Sequence, residues 1–209
     1  MMMVLMLGSA FAAEPKIELN VSTSNISTAV DSLDNIGAGS LATVGLETGY
    51  SIFPWFSVVA GWEYGAVKTQ YGDGYGYDEY GEYVDVQSDV QSRFDYHQLH
   101  LGTRFQTKVF SRIYGYVKSE ALMGMSSMRF ADDLEEEDPA VEVRSSTSSF
   151  GGVVSLGAMY RSKPVAQRFQ FQAHLELGYA HQSKSSFDKD IGMSQVRGLH
   201  SSLGLGIRF

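Results

Sequence analysis

The chain has 209 residues, which is enough for one domain or two small ones. Apolar residues make up 44% of it and charged residues 19%, so a disordered chain is excluded, and no apolar stretch approaches the length of a membrane-spanning helix. The absence of cysteine excludes disulfides and thiolate metal sites, and the net charge of −8 argues against a nucleic-acid partner. The 22 Gly, 12 Tyr and 12 Phe favour β-structure.

Residues 1–12 are predicted to be a signal peptide. They form an apolar run, and Ala10-Phe11-Ala12 fits the small-x-small pattern of a cleavage site. No Lys or Arg precedes the run, which departs from that pattern, and the alternative interpretation is a buried N-terminal segment. We expect an exported chain with a single domain over residues 13–209.

Hydrophobic residues alternate with polar ones along most of that domain, which predicts β-strands. The alternation is clearest in 169–180, where Phe171 and Leu175 share one face and His174 and Glu176 share the other. Within 92–105 the apolar positions change parity, which predicts a β-bulge near His97. The eight predicted strands are 15–24, 40–50, 57–67, 92–105, 112–128, 147–161, 169–180 and 196–209.

The predicted connections alternate between long and short. The short ones are 51–56, 106–111 and 162–168, and the long ones are 25–39, 68–91, 129–146 and 181–195. In an up-and-down barrel all the long connections meet at one end, as in bacterial outer-membrane barrels with short periplasmic turns and long extracellular loops. The predicted fold is therefore an all-β, eight-stranded antiparallel up-and-down transmembrane barrel. A soluble exported barrel, with the apolar face inside, is the alternative.

The last predicted strand ends in alternating apolar residues closed by an aromatic one: Leu203, Leu205, Ile207 and Phe209. In this the sequence resembles the small eight-stranded outer-membrane barrels, the group of the OmpA transmembrane domain, OmpX and OmpW. The resemblance implies that these four residues carry the signal read by the barrel-assembly machinery. It also implies a location in a Gram-negative outer membrane, with outer-membrane lipid and lipopolysaccharide as partners.

Aromatic residues cluster near the predicted short turns. Tyr50, Phe53, Trp55 and Phe56 lie at the first turn, and Phe105, Phe110, Tyr114, Tyr160 and Phe169 lie near the other two. Aromatic rings prefer the interface between lipid and water, so these residues are predicted to form a periplasmic girdle.

The predicted long connections carry most of the negative charge, together −12 against −8 for the whole chain. The acidic run from Asp132 to Asp138 is interpreted as a site for divalent cations near anionic outer-leaflet lipid, or as a loop that its charge keeps solvated. The tyrosine-rich segment from Tyr71 to Tyr83 is interpreted as a contact for an extracellular protein partner, or as a mobile surface loop with incidental tyrosines.

Charged residues and histidines occupy the polar face at depths where exposure to lipid would cost a few kcal/mol each, so they are predicted to line the interior. Four acids there face two permanent bases, and the histidines supply the missing charge or donors. Two interpretations remain: a static network that fills the barrel, or a pore gated by Lys118 or Arg104 exchanging carboxylate partners. A metal site at His100, His174 and His200 is conceivable, but neither a metal nor a cofactor is expected. The predicted network is Glu47, Glu63, His100, Arg104, Lys118, Glu120, His174, Glu176 and His200.

No enzymatic activity is expected. His181 and Ser183 have the H-x-S spacing of the lipid A deacylase barrels, but Lys184 follows where that family has Asn. The last strand holds no acid, so Asp188 or Asp190 would have to complete a triad. The expected function is structural or surface-interacting, through adhesion or partner binding by the loops. The alternatives are a narrow channel for small solutes or hydrophobic molecules and, as a minor one, a lipid A acyl hydrolase.

Overall fold

The computed structural model describes residues 16–27, 40–71, 74–77, 83–86, 90–132, 141–165, 169–183, 185–186, 193–194 and 197–209. Within them the strands are β1 (Lys16–Ser27), β2 (Ser40–Phe53), β3 (Phe56–Tyr71), β4 (Gly74–Tyr77), β5 (Tyr83–Val86), β6 (Val90–Lys108), β7 (Ile113–Asp132), β8 (Val141–Arg161), β9 (Gln170–Gln182), β10 (Ser185–Ser186), β11 (Met193–Ser194) and β12 (Arg197–Arg208). In this part of the chain no helix is long and apolar enough to span a membrane. The predicted signal peptide lies outside the described residues.

Eight antiparallel strands form a closed barrel in the order β1-β12-β9-β8-β7-β6-β3-β2, which confirms the predicted fold class. The short strands β4 and β5 pair with each other within one connection, and β10 and β11 pair within another. A path of paired residues that starts at Ser51 and passes once around the barrel returns to the same strand at Leu41, ten residues away. This stagger corresponds to strands tilted by about 40° from the barrel axis.

The apolar face of the strands points outward and the polar face points inward. Leu177, Leu203 and Leu205 are between 59% and 68% exposed, whereas Glu18, Glu176 and most of the other charged strand residues whose side chains the structure describes are buried. A continuous apolar belt of this extent is a surface for lipid, since soluble proteins keep such patches small. The alternative of a soluble barrel, with the apolar face inside, is therefore wrong.

The predicted bulge near His97 is also wrong. His97 pairs with Tyr64 on one side and Met125 on the other, and the pairing of β6 runs on either side without a break. The apolar parity changes because Phe94 and Tyr96, both almost fully buried, point into the barrel beside polar residues. From the sequence alone, these inward-facing aromatic residues are assigned to the apolar, lipid-facing set, and this produces the apparent change of parity.

The hairpin of β7 and β8 is longer than the sequence indicates. The sequence predicts a loop over 129–146, but β7 continues to Asp132 and β8 begins at Val141. Residues 133–140, which connect them, lie outside the described residues. The turns 54–55 and 109–112 are short, as predicted.

A charge placed on the apolar belt tests the orientation of the wall. We expect Leu177→Arg, near the middle of β9, to lower the free energy of unfolding in lipid vesicles by about 2–4 kcal/mol, because the guanidinium then faces hydrocarbon. The control is Phe110→Arg in a short turn, which should cost about 0–1 kcal/mol. Equal costs in a guanidinium chloride titration would contradict the assignment of the belt to lipid.

Candidate functional site: the barrel interior

The structure places all nine residues of the predicted network inside the barrel. Each is at most 9% exposed, and each lies on the inward face of its strand. The nine are Glu47, Glu63, His100, Arg104, Lys118, Glu120, His174, Glu176 and His200. They come from six of the eight barrel strands, so closure of the sheet brings together residues that are distant in sequence.

Lys118 on β7 lies at the centre of the largest group of carboxylates. Its Nζ atom is 3.0 Å from Glu47 Oε2, 3.1 Å from Glu120 Oε2 and 3.0 Å from Glu176 Oε2. An ammonium has three N–H donors, so this arrangement gives each of them an acceptor. We call these four residues the lysine cluster.

Histidines extend the lysine cluster without forming a metal site of their own. His100 Nδ1 is 2.7 Å from Glu120 Oε1, and His200 Nδ1 is 3.9 Å from Glu176 Oε1. Among the described residues, the group whose ligand atoms lie close enough to share a metal ion is Glu47, His100 and Glu120. Lys118 already binds both carboxylates of that group, so a metal ion there would compete with the ammonium for them. His100, His174 and His200 form no such group in the described part of the chain.

A second charged group lies toward the short-turn end, and the sequence analysis missed most of it. Glu18, which is fully buried, binds Arg104, Arg161 (Nη2–Oε1, 3.0 Å) and Arg208 (Nε–Oε1, 3.4 Å). We call these four residues the arginine cluster. Arg104 joins the two clusters, because its Nη1 atom is also 3.8 Å from Glu47 Oε1.

The predicted balance of four acids against two permanent bases is therefore wrong. Glu18, Arg161 and Arg208 lie near strand ends, and the sequence places Arg161 beside a turn. Glu18 and Arg161 are nonetheless buried, and only 11% of the Arg208 side chain is exposed. The alternation of polar and apolar residues could have placed these side chains on the inner face, since Glu18 is two residues from inward-facing Asn20 and Arg208 is an even number of residues from inward-facing His200.

Two tyrosines cover the arginines with their rings. The Arg104 guanidinium lies 5.8 Å from the centre of the Tyr116 ring, and the Arg161 guanidinium lies 4.5 Å from that of Tyr114. Such cation–π contacts strengthen when they are removed from water. Tyr114 therefore belongs to the interior, and its assignment to the outer aromatic girdle is wrong.

The girdle residues predicted at the first turn lie on or near the outer surface. Tyr50 and Trp55 are 48% and 40% exposed, and Phe53 and Phe56 are half-buried. The Trp55 ring stacks on Phe53 with 5.3 Å between centroids. This is a compact aromatic patch at the short-turn end of the wall.

Above the lysine cluster, toward the long connections, Glu63 lies among hydroxyl-bearing and apolar side chains. Glu63 accepts hydrogen bonds from Ser24 (3.2 Å) and Thr43 (2.9 Å). Leu122, Val153 and Ala180 form a buried apolar group at this level. The cavity between Glu63 and these residues measures about 10 Å³, roughly room for one water molecule.

A hydrogen-bonded amide and phenol layer lies close to the apolar group. Gln182 Nε2 donates to Tyr96 Oη at 2.5 Å and to Gln98 Oε1 at 2.8 Å, and Ser149 Oγ donates to Gln182 Oε1 at 2.7 Å. All four side chains are buried. Buried polar groups with mutual partners of this kind rigidify a core.

Glycines make the room that these large side chains occupy. Several long inward residues lie directly opposite a glycine on the neighbouring strand, where a Cβ atom would press on the long side chain. The pairs are Gly45 with Glu63, Gly61 with His100, Gly102 with Glu120, Gly157 with Tyr116, Gly204 with His174 and Gly206 with Asn20. The high glycine content is thus a consequence of packing large polar groups into a narrow barrel.

The residues of the proposed assembly signal face outward at the end of β12. Leu203, Leu205, Ile207 and Phe209 are between 40% and 68% exposed. Phe209 exchanges backbone hydrogen bonds with Ile17 at 2.9 and 3.0 Å, which extends the β1–β12 pairing to the last residue. Their recognition by the assembly machinery stays a prediction.

No model of a known protein family matches the chain, and no curated protein is detectably similar to it in sequence. Solved structures do share its architecture. A major outer membrane protein from Thermus thermophilus superimposes with a TM-score of 0.50 and 13% identity, over 94% of this chain and 99% of that one. The chain has the fold of a bacterial outer-membrane barrel. The expected resemblance and location are confirmed at the level of the fold.

Two further structures show a similar architecture at lower TM-scores. Neisserial surface protein A gives 0.46 at 13% identity, over 93% of this chain and 95% of that one. The attachment invasion locus protein Ail of Yersinia pestis, solved with the heparin analogue sucrose octasulfate, gives 0.45 at 14% identity, over 93% and 97%.

Removing the charge at the centre of the lysine cluster should destabilise the barrel strongly. Lys118→Met leaves three buried carboxylates without their shared cation, which we expect to cost about 3–5 kcal/mol in the free energy of unfolding. Lys108→Met, at an exposed position beside a short turn, should change it by less than about 0.5 kcal/mol. A Lys118→Met barrel as stable as the Lys108→Met barrel in urea titrations would show that the cluster contributes little.

The glycine pairs make a separate prediction. A Cβ atom at Gly157 would overlap the ring of Tyr116, so Gly157→Ala should destabilise the barrel by about 1–3 kcal/mol through overpacking. At Gly115, on the outward face, the nearest atom to a new Cβ is Val109 Cγ2 at 3.4 Å, an ordinary contact. Gly115→Ala is therefore the matched control, and a denaturant titration showing equal effects would contradict the packing argument.

Proposed function

We propose that this protein is an integral protein of the bacterial outer membrane whose interior is a structural plug and whose activity is carried by its extracellular connections. The observation that carries the proposal is the lysine cluster, in which one buried ammonium is bound by three carboxylates. An eight-stranded barrel is just wide enough for side chains to fill it. A cation held by three partners across that width closes the path through the barrel.

The order of the charges supports the same proposal. In the arginine cluster three cations surround one carboxylate, and in the lysine cluster three carboxylates surround one cation. An ion of either sign that entered the barrel would meet one cluster of its own sign. Above the lysine cluster, the buried apolar group of Leu122, Val153 and Ala180 helps to narrow the interior to a cavity of about 10 Å³, which is too small for a hydrated ion.

With the interior filled, the surface remains for function, and the connections opposite the short turns offer the largest part of it. The tyrosine-rich segment includes β4, whose backbone pairs with that of β5 in an antiparallel hairpin. A hairpin presents its residues at lower entropic cost than a mobile loop, which suits binding to an extracellular partner. The acidic run 133–138, with its proposed role in binding divalent cations, lies outside the described residues.

The proposal includes the absence of hydrolase activity. Ser183 Oγ accepts a hydrogen bond from the Phe150 backbone N–H at 3.1 Å, which ties the hydroxyl to the sheet. His181 is exposed on the outer face of the barrel, two residues before Ser183 in the chain. Unchanged acylation of lipid A after incubation with wild-type protein and with Ser183→Ala protein would support this; deacylation that depends on Ser183 would overturn it.

Conductance in a planar bilayer tests the plug. We expect the refolded wild-type protein to insert without discrete openings, and the double variant Lys118→Ala/Glu47→Ala to conduct, because it removes the central cation and one of its three partners. The exposed variant Lys108→Ala serves as the control and should stay silent. Discrete wild-type openings that change when Glu63 or Lys118 is neutralised would show that the protein is a pore and would overturn the proposal.

A further inference from the structure

The arginine cluster holds more positive charge than its one carboxylate balances. Arg161 and Arg208 form ion pairs with Glu18, and Arg104 binds the same carboxylate, so three guanidinium charges against one acid give a net charge of +2. The lysine cluster has the opposite excess, but among the described ion pairs only the 3.8 Å contact of Arg104 with Glu47 joins it to the arginines. Arg161 and Arg208, the two arginines nearest the short turns, therefore share their acidic partner with a third cation.

Each guanidinium group of the cluster also keeps a buried N–H donor that lacks an acceptor. Five buried side-chain atoms in the described part of the chain have no hydrogen-bond partner, and three of them are the Nε atoms of Arg104, Arg161 and Arg208. Arg104 and Arg161 are each 3% exposed, so their Nε donors are shielded from bulk water. Buried polar groups almost always have a partner in native proteins, and a bound water or ion supplies it where the chain does not. A water molecule would accept a hydrogen bond but leave the net charge, whereas an anion supplies both an acceptor and a balancing charge.

Two buried hydroxyl groups lie beside the arginines at the same end of the barrel. Arg208 Nη2 donates to Ser51 Oγ at 3.4 Å, and Ser51 Oγ lies 3.0 Å from Ser57 Oγ. Both serines are buried. Guanidinium groups fit the paired oxygens of an oxyanion, and hydroxyl groups can donate to its remaining oxygens. The side chains of this end are therefore of the kind from which oxyanion sites are built.

The cluster lies where the interior opens toward the short turns. Arg161 and Arg208 are the last residues of β8 and β12, and 11% of the Arg208 side chain is exposed. The described short turns and their flanks, 51–57, 105–113 and 162–165, carry Lys108, Arg112 and Lys163 and no acid. Basic residues around an opening attract anions and focus the field into it. An anion that enters from this side meets the arginines first, and the carboxylates of the lysine cluster stop it behind them.

We infer that the arginine cluster binds one free dianion of the size of sulfate or hydrogen phosphate. Two negative charges match the net charge of the cluster, and oxyanion oxygens are the acceptors that guanidinium donors fit best. The inference goes beyond the plug of the proposed function, because it gives the closed interior a ligand on its short-turn side. The two can fail separately, since a barrel that conducts ions can still hold a dianion at this end, and a silent barrel can bind none.

Sulfate binding to the refolded full-length chain in maltoside micelles tests the inference. Sodium sulfate is titrated at constant ionic strength, with sodium chloride making up the difference. Binding is measured by isothermal titration calorimetry and by equilibrium dialysis of radiolabelled sulfate. We expect saturable binding of one sulfate per chain, and the absence of saturable binding would overturn the inference.

Two substitutions within the cluster should shift the affinity in opposite directions. Arg208→Gln removes a cation at the partly exposed side of the cluster and should weaken sulfate binding at least about tenfold, through the loss of a charge-assisted hydrogen bond. Glu18→Gln removes the competing acid and should strengthen binding at least about tenfold. The matched control is Arg112→Gln, which removes the same charge at the same end, where Arg112 donates to the exposed Tyr160 hydroxyl, and it should bind like the wild type. Equal affinities of the Arg208→Gln and Arg112→Gln proteins would contradict the site.

Heat-modifiable migration in gels shows, independently of binding, whether each variant is folded. If Arg208→Gln does not fold, Arg208→Lys takes its place; it keeps the charge but lacks the planar pair of donors, and it should still bind sulfate more weakly than the Arg112→Gln control. If Glu18→Gln does not fold, the comparison of the Arg208 and Arg112 variants decides the inference.

Two competitors define the ligand. Nitrate, a monoanion, should displace sulfate poorly, and displacement at equal concentration would show a general attraction of anions in place of a dianion site. Phosphatidylglycerol added to the micelles should not displace sulfate, because a lipid headgroup stays outside the wall and the cluster lies inside it. Displacement by this lipid would overturn the assignment to a free dianion.

Discussion

Backbone hydrogen bonding without water is the constraint on which the rest of this structure depends. Inside a bilayer every N–H and C=O group needs a partner within the protein, and a β-sheet meets that need only when it closes on itself. Here the closure is made by β1, which pairs with β2 on one side and β12 on the other, and by the reciprocal bonds between Ile17 and Phe209. Once the sheet is closed, alternate residues must face either lipid or a narrow interior.

The closed interior then determines how charge is placed. A carboxylate or ammonium removed from water is costly unless opposite charges and hydrogen bonds surround it, so the charged residues gather around shared partners. Glu18 and Lys118 are two such centres of opposite sign, linked through Arg104 and Glu47. The same ion pairs that balance the buried charges also connect strands across the barrel. They therefore neutralise the interior and fill it at the same time.

The sequence predicts the architecture well because alternation is a local property of each strand. The strand number, the inward and outward faces and the nine polar residues near mid-depth all follow from it. It fails where a residue's surroundings depend on other strands. Phe94 and Tyr96 face inward because of their register, although aromatic side chains are typical of a lipid-facing surface. Arg161 lies beside a turn in the sequence, and only the fold shows that it is buried against Glu18 on another strand.

The pairing of glycines with large inward residues has a consequence for how this wall can change over time. For each pair of residues opposite each other on neighbouring strands, the barrel limits the sum of the two side-chain volumes and not either volume alone. An enlargement at Gly61 requires a reduction at His100, and the same holds for Gly204 with His174. The inner surface therefore varies by exchange within pairs, so that distant relatives can share no residue at a given depth and still enclose the same amount of material.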